Sequence, residues 1–369
     1  MRVIDAVVAR RAAGLPVFDL SAGQPSTPAP AAVRAAAAKA IDVDKIAYTN
    51  ALGTPRLRAA IAGHYARTYG VVVDPAAVAV TTGSSGAFLV GFIAAFEAGD
   101  TVVLARPGYP AYRNMLVALG CRVVELTCGP ETRFQPTIEQ LEQLDVAPAG
   151  LVVASPANPT GTMLPPAELA ALTAWCDLHG TRLVSDEIYH GITYTDAAAT
   201  AWQFSRSPIV VNSFSKYFSM TGWRIGWMLL PDELRDSVDR LAGNFTICPP
   251  ALSQLAAVAA FDEYDELDGN VQRYRANRDL LLARLPEIGI EKIAPPDGAF
   301  YIYADVSRWT GDSLAWAARL LEETGVAVAP GIDFDPVDGG KFIRMCFAGD
   351  GAEIGRGVDL LGEWLAHQP

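Results

Sequence analysis

The chain has 369 residues, of which 51% are hydrophobic and 19% charged, a composition typical of a globular protein with a large buried core. Its formal net charge of −12 argues against nucleic-acid binding, which requires clustered basic residues. No run of about eighteen apolar residues is free of Gly, Pro and charge, so we expect no membrane-spanning helix.

The first forty residues are predicted to form an arm that leads into a helix. Short apolar stretches alternate with Gly and Pro as far as Pro30, a pattern that indicates irregular backbone. Residues 31–40 are rich in Ala, the strongest helix former, which predicts a helix there. Residues 1–5 are mixed and charged, without the apolar region of a signal peptide, and this favours a cytoplasmic protein.

Short runs rich in β-branched residues recur from about residue 75. Helical stretches at 86–97 and 166–179 separate several of them. Strands that alternate with helices are typical of βαβ units. We therefore expect one large α/β domain over residues 40–270, built on a mostly parallel sheet with both faces covered. Its predicted strands are 78–82, 101–105, 122–126, 151–155, 181–185, 209–213 and 226–230.

A second, smaller α/β domain is predicted for residues 271–369. A charged helical segment at 262–285 leads out of the large domain. Residues 1–39 are expected to form the arm and the start of this smaller domain. The remaining predicted elements are strands at 299–304, 326–328 and 342–347 and a helix at 314–323.

The five cysteines show neither a disulfide framework nor metal-ligand spacing with the four histidines. They are interpreted as buried, small apolar residues in a reducing compartment, and we expect no metal site. These cysteines are Cys121, Cys128, Cys176, Cys248 and Cys346.

Polar or Gly-rich segments follow five of the predicted strands. In an open α/β sheet, ligands bind beyond the carboxyl ends of the strands. Each segment alone is explained by a turn, a helix cap or a surface residue. Together they predict one ligand-binding crevice. The segments are Gly83-Ser84-Ser85-Gly86, Pro107-Gly108-Tyr109-Pro110, Asn158-Pro159-Thr160-Gly161, Asp186-Glu187-Ile188-Tyr189 and Ser213-Phe214-Ser215-Lys216.

Lysine is scarce, with only Lys39, Lys45, Lys216, Lys292 and Lys341 in the chain. Of these, only Lys216 follows an apolar strand and has hydroxyl and aromatic neighbours. A lysine held away from water is suited to form a Schiff base, because its amine loses its proton more readily.

The segment Ser213-Phe214-Ser215-Lys216-Tyr217-Phe218-Ser219-Met220-Thr221-Gly222-Trp223-Arg224-Ile225-Gly226 resembles the cofactor-lysine segment of class I/II aminotransferases. These are fold-type-I enzymes that depend on pyridoxal 5′-phosphate (PLP). The resemblance extends from Ser21-Ala22-Gly23-Gln24-Pro25 through Pro296-Asp297-Gly298-Ala299-Phe300-Tyr301 to Arg344. It implies an aminotransferase that moves an amino group from an L-amino acid to a 2-oxo acid by a ping-pong mechanism. It also implies a large domain with a mostly parallel mixed sheet and a smaller α/β domain.

The same resemblance implies roles for the residues that would surround the cofactor ring. Lys216 would hold PLP as a Schiff base and then move the α-proton of the substrate. Asp186 would pair with the pyridine nitrogen and keep it protonated. Asn158 and Tyr189 would donate hydrogen bonds to the ring hydroxyl oxygen, and Tyr109 would stack on the ring face.

Further residues would bind the cofactor phosphate and the substrate. Arg344, with Gly23 and Asn158 beside it, would bind the α-carboxylate, which suits a planar guanidinium. Tyr48 matches a family tyrosine that reaches the phosphate from the neighbouring subunit, which implies a homodimer with shared active sites. The phosphate set within one subunit would be Ser84, Ser85, Gly86, Ser213, Ser215 and Arg224.

Other functions built on the same fold remain as alternatives. A PLP-dependent lyase or cyclase would share the cofactor residues, because the fold does not choose the reaction. A PLP-binding regulator with a DNA-binding unit is disfavoured, since the chain is acidic and begins directly with the arm. No second cation for a side-chain carboxylate can be assigned, which favours a substrate side chain that is uncharged or broadly accepted.

Overall fold

The computed structural model describes residues 2–368 of the chain. Its α-helices are α1 (Arg2–Ala12), α2 (Ala31–Val43), α3 (Pro55–Tyr69), α4 (Gly83–Ala95), α5 (Pro110–Ala118), α6 (Ile138–Glu142), α7 (Pro166–His179), α8 (Arg235–Phe245), α9 (Ala251–Ala257), α10 (Tyr264–Glu287), α11 (Ser313–Thr324) and α12 (Gly351–Leu365). Its strands are β1 (Phe18–Asp19), β2 (Val78–Thr81), β3 (Thr101–Arg106), β4 (Arg122–Thr127), β5 (Gly150–Ala154), β6 (Arg182–Asp186), β7 (Ile209–Ser213), β8 (Gly226–Leu229), β9 (Tyr301–Asp305), β10 (Val326–Ala327), β11 (Ala329–Pro330) and β12 (Phe342–Cys346). Within the described residues, no helix is both long and apolar enough to cross a lipid bilayer.

Seven strands form the large sheet in the order β2-β8-β7-β6-β5-β3-β4. Neighbouring strands are parallel, except that β8 runs antiparallel to both β2 and β7. The predicted mostly parallel mixed sheet is therefore confirmed. Strands β2, β7 and β8 are buried along their whole length, so they need cover on both faces, and helices α3, α4, α5 and α7 pack against the sheet.

Two smaller sheets lie towards the C-terminal end of the chain. Strands β11, β12 and β9 form an antiparallel sheet in that order, and β1 of the arm pairs in parallel with β10. Phe18 lies opposite Val326 in that pair, so the N-terminal arm is joined to the C-terminal region of the chain. The division into regions 1–39, 40–270 and 271–369 stays a prediction. Its two limits lie inside α2 and α10.

The arm differs from the sequence prediction, because it begins with helix α1. Val7 of α1 is buried and packs with Leu321 of α11 and Ala327 of β10. The helix is stabilised by apolar partners that are far away in sequence. Since the residues that follow α1 are rich in turn formers such as Gly14 and Pro16, the local pattern does not reveal it.

Helices α3 and α12 are also missing from the sequence prediction, although both carry start signals. The Thr54 hydroxyl accepts a hydrogen bond from the Leu57 amide at 3.4 Å, and Pro55 is the first helical residue of α3. The Asp350 carboxylate caps α12 by accepting from the Ala352 amide at 2.9 Å. An N-cap search would have found both helices.

A buried ion pair joins the large sheet to the loop that follows β11. Arg106 ends β3, and its Nη1 lies 2.8 Å from Asp335 Oδ1, while its Nη2 donates to the Thr127 hydroxyl at 2.6 Å. The two charged side chains are 10% and 7% exposed. A charge this deeply buried is costly to leave without its partner.

We expect Arg106→Gln to lower the free energy of unfolding by about 3 kcal/mol, because Asp335 would remain buried without its cation. Urea unfolding measures the change. Arg319→Gln is the matched control, since the pair of Arg319 with Glu323 is about half exposed and should contribute at most ~1 kcal/mol. An equal loss in the free energy of unfolding for the two substitutions would show that the buried Arg106 pair stabilises the protein no more than the exposed Arg319 pair does.

Candidate active site

The loops at the carboxyl ends of five strands of the large sheet meet around one cavity of about 390 Å³. Ligands bind at this end of an open α/β sheet, because the loops there converge. Eleven of the residues predicted from the sequence line the cavity. They are Gly23, Ser84, Ser85, Tyr109, Asn158, Asp186, Tyr189, Ser215, Lys216, Arg224 and Arg344.

Three other predicted residues do not line this cavity. Gly86 lies in the first turn of α4 but borders a small neighbouring cavity. Ser213 is buried at the end of β7, and its hydroxyl lies 2.9 Å from that of Ser215. Tyr48 is 80% exposed at the surface. Because Ser213 does not line the cavity and bonds to Ser215, it can act on a ligand there only by positioning Ser215.

Lys216 follows β7 and extends into the cavity between aromatic rings. Its Nζ donates a hydrogen bond to the Gly23 carbonyl at 2.6 Å and lies 5.6 Å from the centre of the Tyr189 ring and 5.8 Å from that of Phe300. Burial lowers the pKa of the Lys216 amine to about 8, because the charged form loses its hydration. The amine is thus neutral over a much wider pH range than an ordinary lysine.

Asp186 ends β6 and is 3% exposed. Its Oδ1 accepts from the Ile188 amide at 3.1 Å, and its Oδ2 accepts from the Tyr112 hydroxyl. Burial raises the pKa of Asp186 to about 6, and these two donors together with the nearby Lys216 oppose the increase. Asp186 is therefore a carboxylate at neutral pH. Tyr112 is a further site residue that was not predicted from the sequence, although it lies one helical turn after Tyr109.

Hydrogen-bond donors and a cation converge at the start of α4. Ser84 and Ser85 lie in the first helical turn, where backbone amides are free and the helix dipole favours an anion. The Arg224 guanidinium packs so closely that a Cβ atom on Gly83 would lie 2.4 Å from its Nη2. With Ser215 beside them, these residues could hold a phosphate group.

Arg344 of β12 is 7% exposed and has no carboxylate partner among the described residues. Its Nη1 donates to Asn158 Oδ1 at 2.9 Å and its Nη2 to the Ser21 carbonyl at 2.7 Å. Its Nε is buried without a hydrogen-bond partner in residues 2–368. A buried guanidinium with an unused donor fits a ligand carboxylate.

Tyr301 is a further residue of the cavity that the sequence analysis did not assign to the site. Its hydroxyl lies 2.7 Å from that of Tyr189, and its ring lies under the Arg344 guanidinium at 4.4 Å. It opens β9, directly after the segment that carries part of the family resemblance. This position next to the segment could have indicated that Tyr301 belongs to the site. The contacts that Tyr301 makes could not have been predicted, because they depend on how β9 packs across the cavity.

The known proteins that are similar to this chain in sequence are aminotransferases. The family described as aminotransferase class I and II matches residues 16–361. A valine–pyruvate aminotransferase from Mycobacterium tuberculosis is 58% identical over 356 residues, which is 95% of this chain and 92% of that protein. An aspartate aminotransferase from Sulfolobus acidocaldarius is 31% identical over 95% of this chain and 90% of its own length.

Solved structures agree with the sequence relatives. An aminotransferase from Mycobacterium tuberculosis superposes with a TM-score of 0.98 at 56% identity, covering 100% of this chain and 96% of that one. A double mutant of the aspartate aminotransferase from Thermus thermophilus gives a TM-score of 0.92 at 32% identity, covering 98% and 95%. The fold-type-I prediction is confirmed.

We expect the Lys216 amine to become reactive over a lower pH range than an ordinary lysine, because burial favours its neutral form. In the cofactor-free protein, competitive labelling with acetic anhydride and mass spectrometry should give a midpoint near pH 8. The ordinary lysine value is about 10.4. A free lysine derivative in the same tube serves as the reference, and a Lys216 midpoint equal to the reference would contradict the burial argument.

Proposed function

The chain belongs to the aminotransferase class I and II family, and from this membership we propose that it transfers the amino group of valine or a similar uncharged amino acid to a 2-oxo acid such as pyruvate. Its reaction class is PLP-dependent transfer of an amino group between an amino acid and a 2-oxo acid. The proposed substrates rest on the 58% identity to a valine–pyruvate aminotransferase and on the charges of the cavity.

The distribution of cations in the cavity supports an uncharged side chain. Within the described part of the chain, the lining includes three cations: Lys216, Arg224 and Arg344. Each has a proposed partner already, namely the cofactor aldehyde, the phosphate and the α-carboxylate. A second substrate carboxylate would find no further cation among the described lining residues, and an unpaired buried charge is strongly disfavoured. Apolar lining residues, including Ile4 and Phe88, are compatible with an aliphatic side chain.

The donors at the start of α4 support the proposed phosphate site, with Ser84, Ser85 and Ser215 as hydrogen-bond donors and Arg224 as a charged partner. Bound PLP supplies an aldehyde that reacts with amines and a ring that withdraws electrons from the reacting carbon. Asp186, a carboxylate above a pH of about 6, would then face a protonated ring nitrogen. Tyr109 would lie against the ring face.

Proton handling is assigned to Lys216. Its lowered pKa of about 8 lets the Nζ atom act as a nucleophile and later accept the α-proton of the substrate. Arg344 would orient the substrate through its carboxylate, with Asn158 fixing the guanidinium at 2.9 Å. Asn158 and Tyr189 would also donate to the ring oxygen of the cofactor.

We further propose a homodimer in which Tyr48 completes the partner's cavity. Tyr48 is 80% exposed, and Ile46, Phe245 and Ile247 in the same two chain segments are exposed apolar side chains as well. The backbone amide of Thr49 donates to the Cys248 sulfur at 3.4 Å, which brings the two segments together. An exposed apolar patch of this kind is typical of a protein interface.

The proposed location is the cytoplasm. All five cysteines lie in the described residues, and each is a free thiol. Disulfides form and persist in oxidising compartments, so five unpaired thiols support a reducing one.

The first experiment ranks amino donors by the conversion of bound PLP to its amine form. We expect one half-turnover without an acceptor, restoration by pyruvate, and ping-pong kinetics. The kcat/KM should be at least about tenfold higher for valine than for aspartate, because the side-chain carboxylate of aspartate would be buried without a cation. Equal or better use of aspartate would overturn the proposed substrate class.

The second experiment tests the shared site by mixing inactive subunits. Tyr48→Ala and Lys216→Ala subunits should together recover about a quarter of wild-type activity, because half of the randomly formed dimers would contain one intact site. Mixing Lys216→Ala with Asp186→Ala is the control, since both residues belong to the same chain's cavity and no intact site can form. Failure to recover activity despite demonstrated subunit exchange would exclude the shared site.

A further inference from the structure

Tyr301 contacts two residues to which the proposed function assigns a role, Tyr189 and Arg344, and it also contacts Gly23 of the arm. Its hydroxyl oxygen lies 2.7 Å from that of Tyr189, and its ring face lies 4.4 Å from the Arg344 guanidinium. A Cβ atom on Gly23 would lie 2.4 Å from the Tyr301 hydroxyl, so the arm passes directly over it. The side chain is 1% exposed, so these contacts are made in the interior of the protein.

The contact between the two hydroxyls leaves open which tyrosine donates. Burial raises the pKa of both Tyr189 and Tyr301, so each keeps its single proton at neutral pH. A neutral hydroxyl donates one hydrogen bond, and only one proton can lie between the two oxygens. If Tyr189 donated to Tyr301, it would present only lone pairs to the cavity.

An acceptor in the cavity selects one of the two arrangements. For Tyr189 to donate to a ring oxygen of the cofactor, its proton must point into the cavity, and Tyr301 must donate to Tyr189. Tyr301 can do so without losing another bond, because its hydroxyl makes no other hydrogen bond within the described residues. Hydrogen bonds in such a chain polarise and strengthen one another.

We propose that Tyr301 is a positioning residue whose hydroxyl donates to Tyr189 and thereby directs the Tyr189 proton towards the ring oxygen of the cofactor. This inference rests on the proposed function, in which Tyr189 contacts that oxygen. The ring of Tyr301 has a separate effect, since it supports the Arg344 guanidinium by a cation–π contact. The hydroxyl therefore acts on the cofactor and the ring acts on the substrate carboxylate.

The test is a pH titration of the visible absorbance of the PLP-loaded protein. A donor to the ring oxygen stabilises its anionic form, so losing that donor raises the pKa of the bound cofactor. Tyr189→Phe should raise it by about 1 to 2 pH units. Tyr301→Phe should raise it by about 0.2–0.5 pH unit, because the remaining Tyr189 bond loses its cooperative support.

A double variant shows whether Tyr301 acts on the cofactor pKa through Tyr189 or by a general change in the structure of the site. Because Tyr301 acts through Tyr189, Tyr189→Phe/Tyr301→Phe should titrate like Tyr189→Phe alone. Tyr303→Phe is the matched control. Tyr303 is buried two residues further along β9, and its hydroxyl has no hydrogen-bond partner in residues 2–368. It should leave the titration unchanged.

Kinetics separate the hydroxyl of Tyr301 from its ring. Tyr301→Phe keeps the ring and should lower kcat while KM for the amino donor stays within about twofold. Tyr301→Leu removes the ring beneath Arg344 and should raise KM about threefold or more. A rise in KM with Tyr301→Phe equal to that with Tyr301→Leu would overturn the separation.

Three spectroscopic outcomes would overturn the proposal. The first is that Tyr301→Phe still shifts the pKa of the bound cofactor when Tyr189 is already Phe. The second is that Tyr301→Phe leaves this pKa unchanged although Tyr189→Phe raises it. The third is that Tyr303→Phe raises this pKa as much as Tyr301→Phe does. If Tyr189→Phe itself leaves the titration unchanged, then the assignment of Tyr189 in the proposed function fails, and the proposal with it. The ranking of amino donors is measured independently, so failure of the proposed substrate class is distinguishable from failure here.

Discussion

Lys216, Asp186 and Arg344 are charged or chargeable side chains around one cavity. Asp186 and Arg344 are buried, and desolvation is the main cause of the pKa shifts of Lys216 and Asp186. Within the described residues, none of the three forms an ion pair with a side chain. Their partners are neutral: the Gly23 carbonyl for Lys216, the Tyr112 hydroxyl and Ile188 amide for Asp186, and the Ser21 carbonyl and Asn158 amide oxygen for Arg344. Neutral partners offset part of the cost of burial but leave each charge available to a charged ligand.

This requirement explains why distant segments must meet at the cavity. The carbonyls of Ser21 and Gly23 come from the arm, and the arm is fixed by the pairing of β1 with β10 and by the Cys346 amide, which donates to the Leu20 carbonyl at 2.7 Å. Arg344 lies on the same strand as Cys346. The arm and β12 therefore bring the substrate-binding arginine and the acceptor for Lys216 into one rigid arrangement, although they are separated by most of the chain.

The sequence predicted the parts of the site that depend on local pattern. Runs of β-branched residues located the strands, and the residues after them include Asp186, Asn158 and Lys216, because a parallel sheet brings its carboxyl ends together. Tyr112 could have been found from its helical spacing to Tyr109. The hydroxyl contact of Tyr301 could not, since it depends on how β9 approaches the large sheet. The outward position of Tyr48 is likewise a property of the folded surface.

Burial raises the pKa of Asp186 to about 6 and lowers the pKa of Lys216 to about 8, so the two values lie on either side of pH 7. Above about pH 6, Asp186 is charged, and below about pH 8, Lys216 is protonated. At pH 7, a pKa of about 8 leaves roughly a tenth of the Lys216 amine neutral. An ordinary lysine, with a pKa of about 10.4, would be neutral in only about one molecule in 2,500. Arg344 and Arg224 push the Lys216 pKa further in the same direction, whereas Asp186 and Cys346 oppose them. Removing the lysine from water thus increases the fraction of neutral, reactive amine at pH 7 by roughly two orders of magnitude. The same burial raises the pKa of Asp186 only to about 6, because the Tyr112 and Ile188 donors and Lys216 oppose it, so Asp186 stays ionised and able to hold a cation.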